Sequence, residues 1–225
     1  MNRKQAVFID GIRHSAEIIE LAYNRLRTTL TEMALKPPSS NELPLLTPHA
    51  FLDAWAFVDA VEKFRLLYQN FPDMTYKENG EPSLKDIAQP FKKIRDIAAH
   101  CNASADLSVS KKTSGIGVLT WLTGCQISPT ELWYCTIRPG TLQTVPALRL
   151  PTIETKIDWP TDFICLTVGG CRANFSEVRP HIESRVRKLE SDLDIAFKKH
   201  EFSTVPVVND LFTRQLYKPA PNQGF

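Results

Sequence analysis

The chain has 225 residues, of which 43% are hydrophobic and 23% charged, with a formal net charge of +2 at pH 7. A chain of this length and composition can bury a sizeable core, so we expect one globular domain over residues 1–225, or one domain with an insertion. The small net charge excludes a protein that binds nucleic acids or membrane surfaces through its overall charge, and any anion site must therefore be local.

The sequence also indicates a cytoplasmic protein. The basic residues near the start are not followed by an uninterrupted apolar segment, which is unlike a signal peptide. No stretch approaches the roughly 18 apolar residues typical of a membrane span, so we expect no membrane contact. The five cysteines are an odd number, which disfavours a disulfide framework and fits a reducing compartment.

Apolar side chains recur at steps of three and four residues in the first part of the chain, which is the spacing of one helix face. They predict a first helix over residues 5–35, which Pro37 and Pro38 end. For the second helix, Thr47 is the expected N-cap and Pro48 the first helical residue. Its predicted buried face consists of Phe51, Trp55, Val58, Val61, Phe64 and Tyr68.

A third helix is predicted to begin after Ser83, because Ser83 and Asp86 have the spacing of a capping box. Its apolar stripe reaches Ala98, and we expect the helix to end at or near His100. Pro90 lies within this stripe and predicts a kink or a short break.

The pattern then changes to short apolar runs separated by Gly and Pro, which predict a small antiparallel sheet. The runs are IGVLTWLT, LWYCTIR, ALRLPTIETKI and FICLTV. The Gly-Gly pair after the last run is predicted to be a plain connection from strand to helix. The helical spacing returns at Asn174 or Ser176 and predicts a fourth long helix to about His200. The tail over residues 201–225 is predicted to be flexible.

These elements predict an α+β protein that is mainly a bundle of four long helices with an inserted antiparallel sheet. The helical bundle comprises residues 5–100 and 176–200, and the β insertion comprises residues from about 115 to 170. An alternative arrangement places the sheet at the centre, with the helices covering one of its faces.

The candidate catalytic residues are Arg95 and His100, at the end of the third helix in the segment FKKIRDIAAHCNAS. An arginine carries a permanent planar charge that can bind a phosphate through two hydrogen bonds. A histidine can accept and donate protons near neutral pH. The pair is therefore suited to metal-independent RNA cleavage, in which the ribose 2′-hydroxyl attacks the adjacent phosphate and no cofactor is needed.

Helix geometry sets a condition on this site. Five residues of ideal helix rotate a side chain by about 500°, so Arg95 and His100 would lie about 140° apart around the axis of an unbroken helix. They can converge if the helix unwinds after Ala98 or Ala99, or if two copies of the chain bring these helix ends together. Lys92 and Lys93 add positive charge, and we expect them to help bind a phosphate.

The hexapeptide RDIAAH, at the end of the third helix of a bundle, resembles the signature of the HEPN superfamily. Many HEPN proteins are metal-independent ribonucleases of toxin–antitoxin, phage-defence and RNA-processing systems, and they typically dimerise so that two motifs form one cleft. The resemblance implies that Arg95 and His100 are the catalytic pair. It implies that Asp96 is their polar companion, at a position where asparagine is commoner. It further implies RNA or a nucleotide as ligand, a homodimer and an antitoxin-like protein partner.

The alternative hypothesis is a non-catalytic interaction module in which the β insertion binds a partner protein. Arg95 would then pair with a surface carboxylate, and His100 would interact with the dipole at the helix end. The sequence shows no convincing second functional site. Cys125, Cys135, Cys165 and Cys171 are 10, 30 and 6 residues apart, unlike the close cysteine pairs of structural zinc sites, so we expect buried thiols and no metal.

Overall fold

The computed structural model describes residues 3–72, 82–100, 114–124, 132–140 and 160–199. These residues contain four helices, α1 (Arg3–Leu35), α2 (Leu43–Gln69), α3 (Leu84–Ala99) and α4 (Phe175–Lys199), and four strands, β1 (Val118–Gly124), β2 (Leu132–Ile137), β3 (Thr161–Val168) and β4 (Cys171–Asn174). The α+β class with four helices and a small antiparallel sheet is confirmed. The chain divides into two compact units, Met1–Lys188 and Leu189–Phe225, with the boundary inside α4.

The apolar stripe of α1 is buried as its spacing predicts. Its buried side chains include Ile12, Ile19, Tyr23, Leu26 and Leu30. The most extensive helix–helix packing is between α1 and α2. A Cβ atom at Gly11 would lie 2.8 Å from a methyl carbon of Leu67, so the glycine allows the two helices to approach closely.

Helix α2 begins earlier than the sequence indicates. Its first residue is Leu43, and Pro48 lies inside the helix. The hydroxyl of Thr47 donates to the Leu43 carbonyl oxygen at 2.8 Å and therefore does not act as an N-cap. The Glu42 carboxylate instead accepts from the backbone N–H and the hydroxyl of Ser39 at 2.8 and 2.7 Å, which orders the chain just before the helix.

Helix α3 begins as predicted, with the Ser83 hydroxyl accepting a hydrogen bond from the Asp86 N–H at 3.2 Å. The helix is continuous from Leu84 to Ala99, so Pro90 causes no break. Proline disturbs a helix at the carbonyl four residues earlier, by removing its hydrogen bond and by steric contact; here that carbonyl belongs to Asp86, in the first turn. The buried side chains of Phe91 and Ile94 anchor the turns that follow.

The four strands form one antiparallel sheet with the order β2-β1-β3-β4. Gly169 and Gly170 have φ values of 54° and 82°, and two positive φ values fit a tight hairpin turn. The predicted strand-to-helix connection is therefore wrong, because the Gly-Gly pair joins β3 to β4. Strand β4 has only four residues, CRAN, too few for an alternating apolar pattern.

Phe57 of α2 lies at the centre of the core, and its ring contacts three other elements. It stacks on Phe175 of α4 at 4.4 Å between ring centroids, and it lies 6.0 Å from Tyr23 of α1 and 5.9 Å from Phe91 of α3. Phe57 is absent from the predicted buried face of α2, whereas Trp55, predicted to be buried, is only partly covered.

Two predicted features lie outside the residues that the structure describes: the strand-like run ALRLPTIETKI and the tail over residues 201–225. Helix α4 begins at Phe175, as expected, and is described to Lys199. None of the helices in the described ranges combines the length and hydrophobicity needed to cross a bilayer.

Candidate functional site

The predicted site residues occupy the outer side of α3. Lys93, Arg95, Asp96 and His100 are exposed, and Lys92 is partly exposed. The opposite side of the helix carries the buried residues Leu84, Ala88, Phe91 and Ile94. The hydrophobic face thus fixes the rotation of α3 and leaves the charged residues and the histidine accessible to a ligand.

Arg95 forms an ion pair with Asp59 of α2. The Arg95 Nε atom lies 3.0 Å from Asp59 Oδ1, and the two side chains are 52% and 62% exposed. Asp59 contacts the Nε position of the guanidinium group, and the charge of Arg95 also acts on Asp96. The terminal nitrogens of the guanidinium group can therefore still form a bidentate contact with a phosphate.

His100 directly follows the last residue of α3. Its backbone N–H donates to the Asp96 carbonyl oxygen at 3.2 Å, which continues the helical hydrogen-bond pattern to this residue. The helix does not unwind after Ala98, and it reaches Ala99. The separation of about 140° between Arg95 and His100 is therefore retained, and within one chain the two residues lie on different sides of the helix.

Asp96 lies between these two residues on the helix surface. The Lys92 ammonium donates to Asp96 Oδ2 at 2.8 Å. This hydrogen bond, with smaller contributions from the charges of Lys92, His100 and Arg95, lowers the pKa of Asp96 below its ordinary value. Asp96 is therefore a carboxylate at neutral pH, and Lys92 neutralises part of its charge.

The structure adds a residue that the sequence reasoning missed at this site, Asp59, and Trp55 is its neighbour on α2. Both lie on α2, four residues apart, and Asp59 contacts Arg95 directly. The Trp55 indole N–H donates to the Ile116 carbonyl oxygen at 3.2 Å. The spacing of Trp55 and Asp59 indicates that they share a helix face, but the contact of Asp59 with Arg95 depends on how α2 packs against α3.

The described thiols do not form a reactive or metal-binding centre. Cys165 is buried and its sulfur accepts a hydrogen bond from Arg172 at 3.1 Å. Burial raises the pKa of Cys135 to about 11, so this thiol is protonated at neutral pH. In the described part of the chain, no group of three His, Cys, Asp or Glu residues could hold a metal ion. Cys101 and Cys125 are outside that part.

A cavity of about 410 Å³ lies elsewhere, where α1 connects to α2. It is lined by Thr29, Glu32, Met33, Leu35, Lys36, Pro38, Glu42 and Leu46. None of the predicted site residues lines it. The candidate site residues Lys93, Arg95, Asp96 and His100 lie on the exposed surface of α3.

Comparison of the chain with models of protein families, with curated proteins and with solved structures returns no match. Functional inference therefore depends on the chemistry of the α3 surface. An exposed arginine, an exposed histidine and neighbouring lysines can bind a phosphodiester and transfer protons at neutral pH.

Proposed function

We propose that this protein is a HEPN-like, RNA-binding homodimer that cleaves RNA without a metal ion through Arg95 and His100. The observation that carries the proposal is the exposure of both side chains at one end of α3, where neither is needed for core packing. Lys92 and Lys93 on the same helix favour an anionic ligand.

In the proposed reaction, the ribose 2′-hydroxyl attacks the neighbouring phosphorus atom and the 5′-oxygen leaves. Arg95 binds the phosphoryl oxygens and stabilises the charge that develops on them. His100 acts as general base or general acid, and each such role typically contributes about 10²–10⁴-fold to the rate. If His100 removes the 2′-hydroxyl proton, water protonates the leaving 5′-oxygen; if His100 protonates that oxygen, water accepts the 2′-hydroxyl proton. Neither route needs a cofactor.

A homodimer resolves the geometric conflict within one chain. Since Arg95 and His100 of one protomer lie about 140° apart, we propose that Arg95 of one protomer acts together with His100 of its partner. Exposed apolar side chains on the outer surfaces of α1 and α2 support self-association. They are Val7, Ile18, Leu21 and Leu66, with exposed fractions from 43% to 69%.

The HEPN-like arrangement of the four helices is part of this proposal. It is supported by Phe57 of α2, whose ring contacts side chains of α1, α3 and α4. The activity of a cytoplasmic ribonuclease of this kind would have to be inhibited until it is needed. We therefore include a toxin–antitoxin or phage-defence role in the proposal, with an antitoxin-like protein partner as the inhibitor.

RNA cleavage in the presence of EDTA tests the proposal. Labelled single-stranded RNA would be incubated with the wild type, Arg95→Ala, His100→Ala and the control Arg187→Ala. Arg187 is a suitable control because it is an exposed arginine paired with Glu183 at 2.8 Å on α4. We expect cleavage by the wild type and by the control, and a loss of at least about 10²-fold in the two site variants. Equal cleavage by all four proteins would reject the assignment.

The second candidate function is a non-catalytic module that binds a partner protein through the sheet. It is favoured by the exposure of Leu132 and Trp133, 40% and 52%, on the outer strand β2. This function predicts no cleavage by the wild type. It also predicts that Trp133→Ser weakens partner binding while Arg95→Ala does not.

A further inference from the structure

Trp55 differs from the other residues of its predicted buried stripe. Phe51, Val58 and Val61 are exposed by 3% or less, whereas Trp55 is partly exposed. We infer that Trp55 stacks against a nucleobase of the bound RNA, so that the site takes single-stranded RNA with an unstacked base next to the phosphate bound by Arg95. This inference rests on the proposed function.

The position of Trp55 follows from helix geometry. Trp55 precedes Asp59 by four residues, and side chains at this spacing are neighbours with about 5–6 Å between their Cβ atoms. Asp59 Oδ1 in turn lies 3.0 Å from Arg95 Nε. The indole therefore lies about one helical turn from Asp59, which pairs with Arg95. This distance is comparable to the distance between a base and its own phosphate.

The indole ring is held in place before any ligand binds. Its N–H donates to the Ile116 carbonyl oxygen at 3.2 Å, so the polar edge of the ring already has a partner. A ring fixed in this way loses little conformational freedom when a base stacks on its face, which favours binding.

The surroundings of Trp55 suit a base and its sugar. Leu52, three residues earlier on α2, is 63% exposed, and Ile116 is 45% exposed. The surface therefore changes from apolar at Leu52 and Trp55 to charged at Arg95, as a nucleotide changes from its base to its phosphate. In duplex RNA the bases are already stacked, and aromatic side chains stack on bases that single strands leave open.

Binding of intact and abasic RNA separates base stacking from a structural role of Trp55. The Kd would be measured by fluorescence anisotropy with a single-stranded oligonucleotide and with the same backbone lacking its bases. All proteins would carry His100→Ala to prevent cleavage. We expect Trp55→Leu to weaken binding of intact RNA by about 5- to 150-fold and to leave the abasic oligonucleotide unaffected. Trp55→Phe keeps an aromatic face and should retain most of the affinity.

Matched controls make each outcome decisive. Trp133→Leu replaces an exposed tryptophan on β2, and it should leave the affinity for intact RNA unchanged. Thermal unfolding of Trp55→Leu and Trp55→Phe would be compared, because both variants lose the hydrogen bond to Ile116. An equal effect of Trp55→Leu on intact and abasic RNA, or tighter binding of double-stranded RNA, would overturn the inference. If Arg95→Ala weakened binding and Trp55→Leu did not, the inference about Trp55 would be wrong and the proposed function would stand. If the protein that carries only His100→Ala bound no RNA, the inference and the proposed function would both be wrong.

Discussion

Among the arginine–carboxylate pairs that connect different helices in the described residues, Arg179–Glu20 and Arg95–Asp59 differ in geometry and in exposure. Arg179 of α4 makes three hydrogen bonds to Glu20 of α1 at 2.8–3.1 Å, and its guanidinium lies 5.1 Å from the centre of the Tyr23 ring. Arg95 of α3 makes one contact with Asp59 of α2, and both side chains are more than half exposed. The first pair is partly covered, with its side chains 28% and 40% exposed, and the second is more open to solvent.

The difference separates an arginine that stabilises the fold from one that can bind a ligand. The Tyr23 hydroxyl is hydrogen-bonded to Ser176 at 3.0 Å, and Ser176 accepts from the Ile164 N–H at 3.2 Å. Arg179 therefore belongs to a network that joins α1, α4 and β3. An exposed single contact such as that of Arg95 typically contributes about 0–1 kcal/mol, so Arg95 can exchange Asp59 for a phosphate at little cost to stability.

The largest expected effect concerns catalysis. Arg95→Ala and His100→Ala should each lower kcat/KM for RNA by about 10²–10⁴-fold, since each removes a group that acts in the proposed transition state. The free energy of unfolding should fall by less than about 1 kcal/mol, because neither side chain is buried. Steady-state kinetics and urea unfolding would measure the two effects. A large loss of stability in Arg95→Ala with unchanged kinetics would indicate that Arg95, like Arg179, stabilises the fold and does not act on RNA.

Arg179→Ala should show the opposite behaviour. We expect the free energy of unfolding to fall by about 2 kcal/mol, because the change removes charged hydrogen bonds and the cation–π contact with Tyr23. Cleavage by the folded fraction should remain close to that of the wild type. Urea unfolding, with Arg187→Ala as control, checks the first expectation. Stabilities of Arg179→Ala and Arg187→Ala that agree within error would show that the network contributes little.

Tyr23 makes the stability of this network depend on pH. Burial raises the pKa of Tyr23 above its ordinary value, and the hydrogen bond to Ser176 and the nearby arginines only partly offset this effect. The folded protein therefore favours the neutral phenol, and this stability is present below about pH 10 and is lost as the pH rises through the raised pKa.

Tyr23→Phe should lower the free energy of unfolding by about 1 kcal/mol at pH 8, through loss of the hydrogen bond to Ser176. Above about pH 10 the variant should lose stability less steeply than the wild type, because it has no buried phenol to ionise. Urea unfolding at a series of pH values from 8 to 11 measures both effects. Parallel pH profiles for the two proteins would contradict the role given to Tyr23.

Asp59→Asn should have the smallest effect. The variant removes the negative charge beside Arg95 but keeps a side chain of the same shape. We expect the Kd for RNA to fall by a few-fold, because the carboxylate no longer competes with phosphate, with a change in stability within about 1 kcal/mol. The gain should shrink at high salt, where exposed charges are screened. Weaker binding by Asp59→Asn would indicate that Asp59 is needed to orient Arg95.

Features that depend on local sequence could be predicted. The Ser83 cap of α3 follows from the spacing of Ser83 and Asp86, and the long apolar stripe of α1 follows from steps of three and four residues. The position of His100 at the end of α3 could also be predicted from local sequence, because the apolar stripe ends just before it.

Features that depend on packing could not be predicted from the sequence. The contact of Arg95 with Asp59 needs the relative position of two helices that are separated in sequence. Phe57 was left out of the predicted buried face of α2 although it is buried, and Trp55 was included although it is partly exposed. The reason is that α2 is covered by several elements and its buried arc is wider than one stripe. Strand β4 is too short and too polar for its alternation to be recognised.

The central claim is that Arg95 of one protomer and His100 of its partner act on the same phosphodiester. Arg95→Ala and His100→Ala would be co-expressed with different affinity tags, and the mixed dimer would be isolated by successive use of both tags. In a two-fold symmetric dimer, the mixed species retains one intact Arg95–His100 pair, so we predict about half of the wild-type cleavage rate in EDTA. A mixed dimer as inactive as either parent variant would contradict the claim.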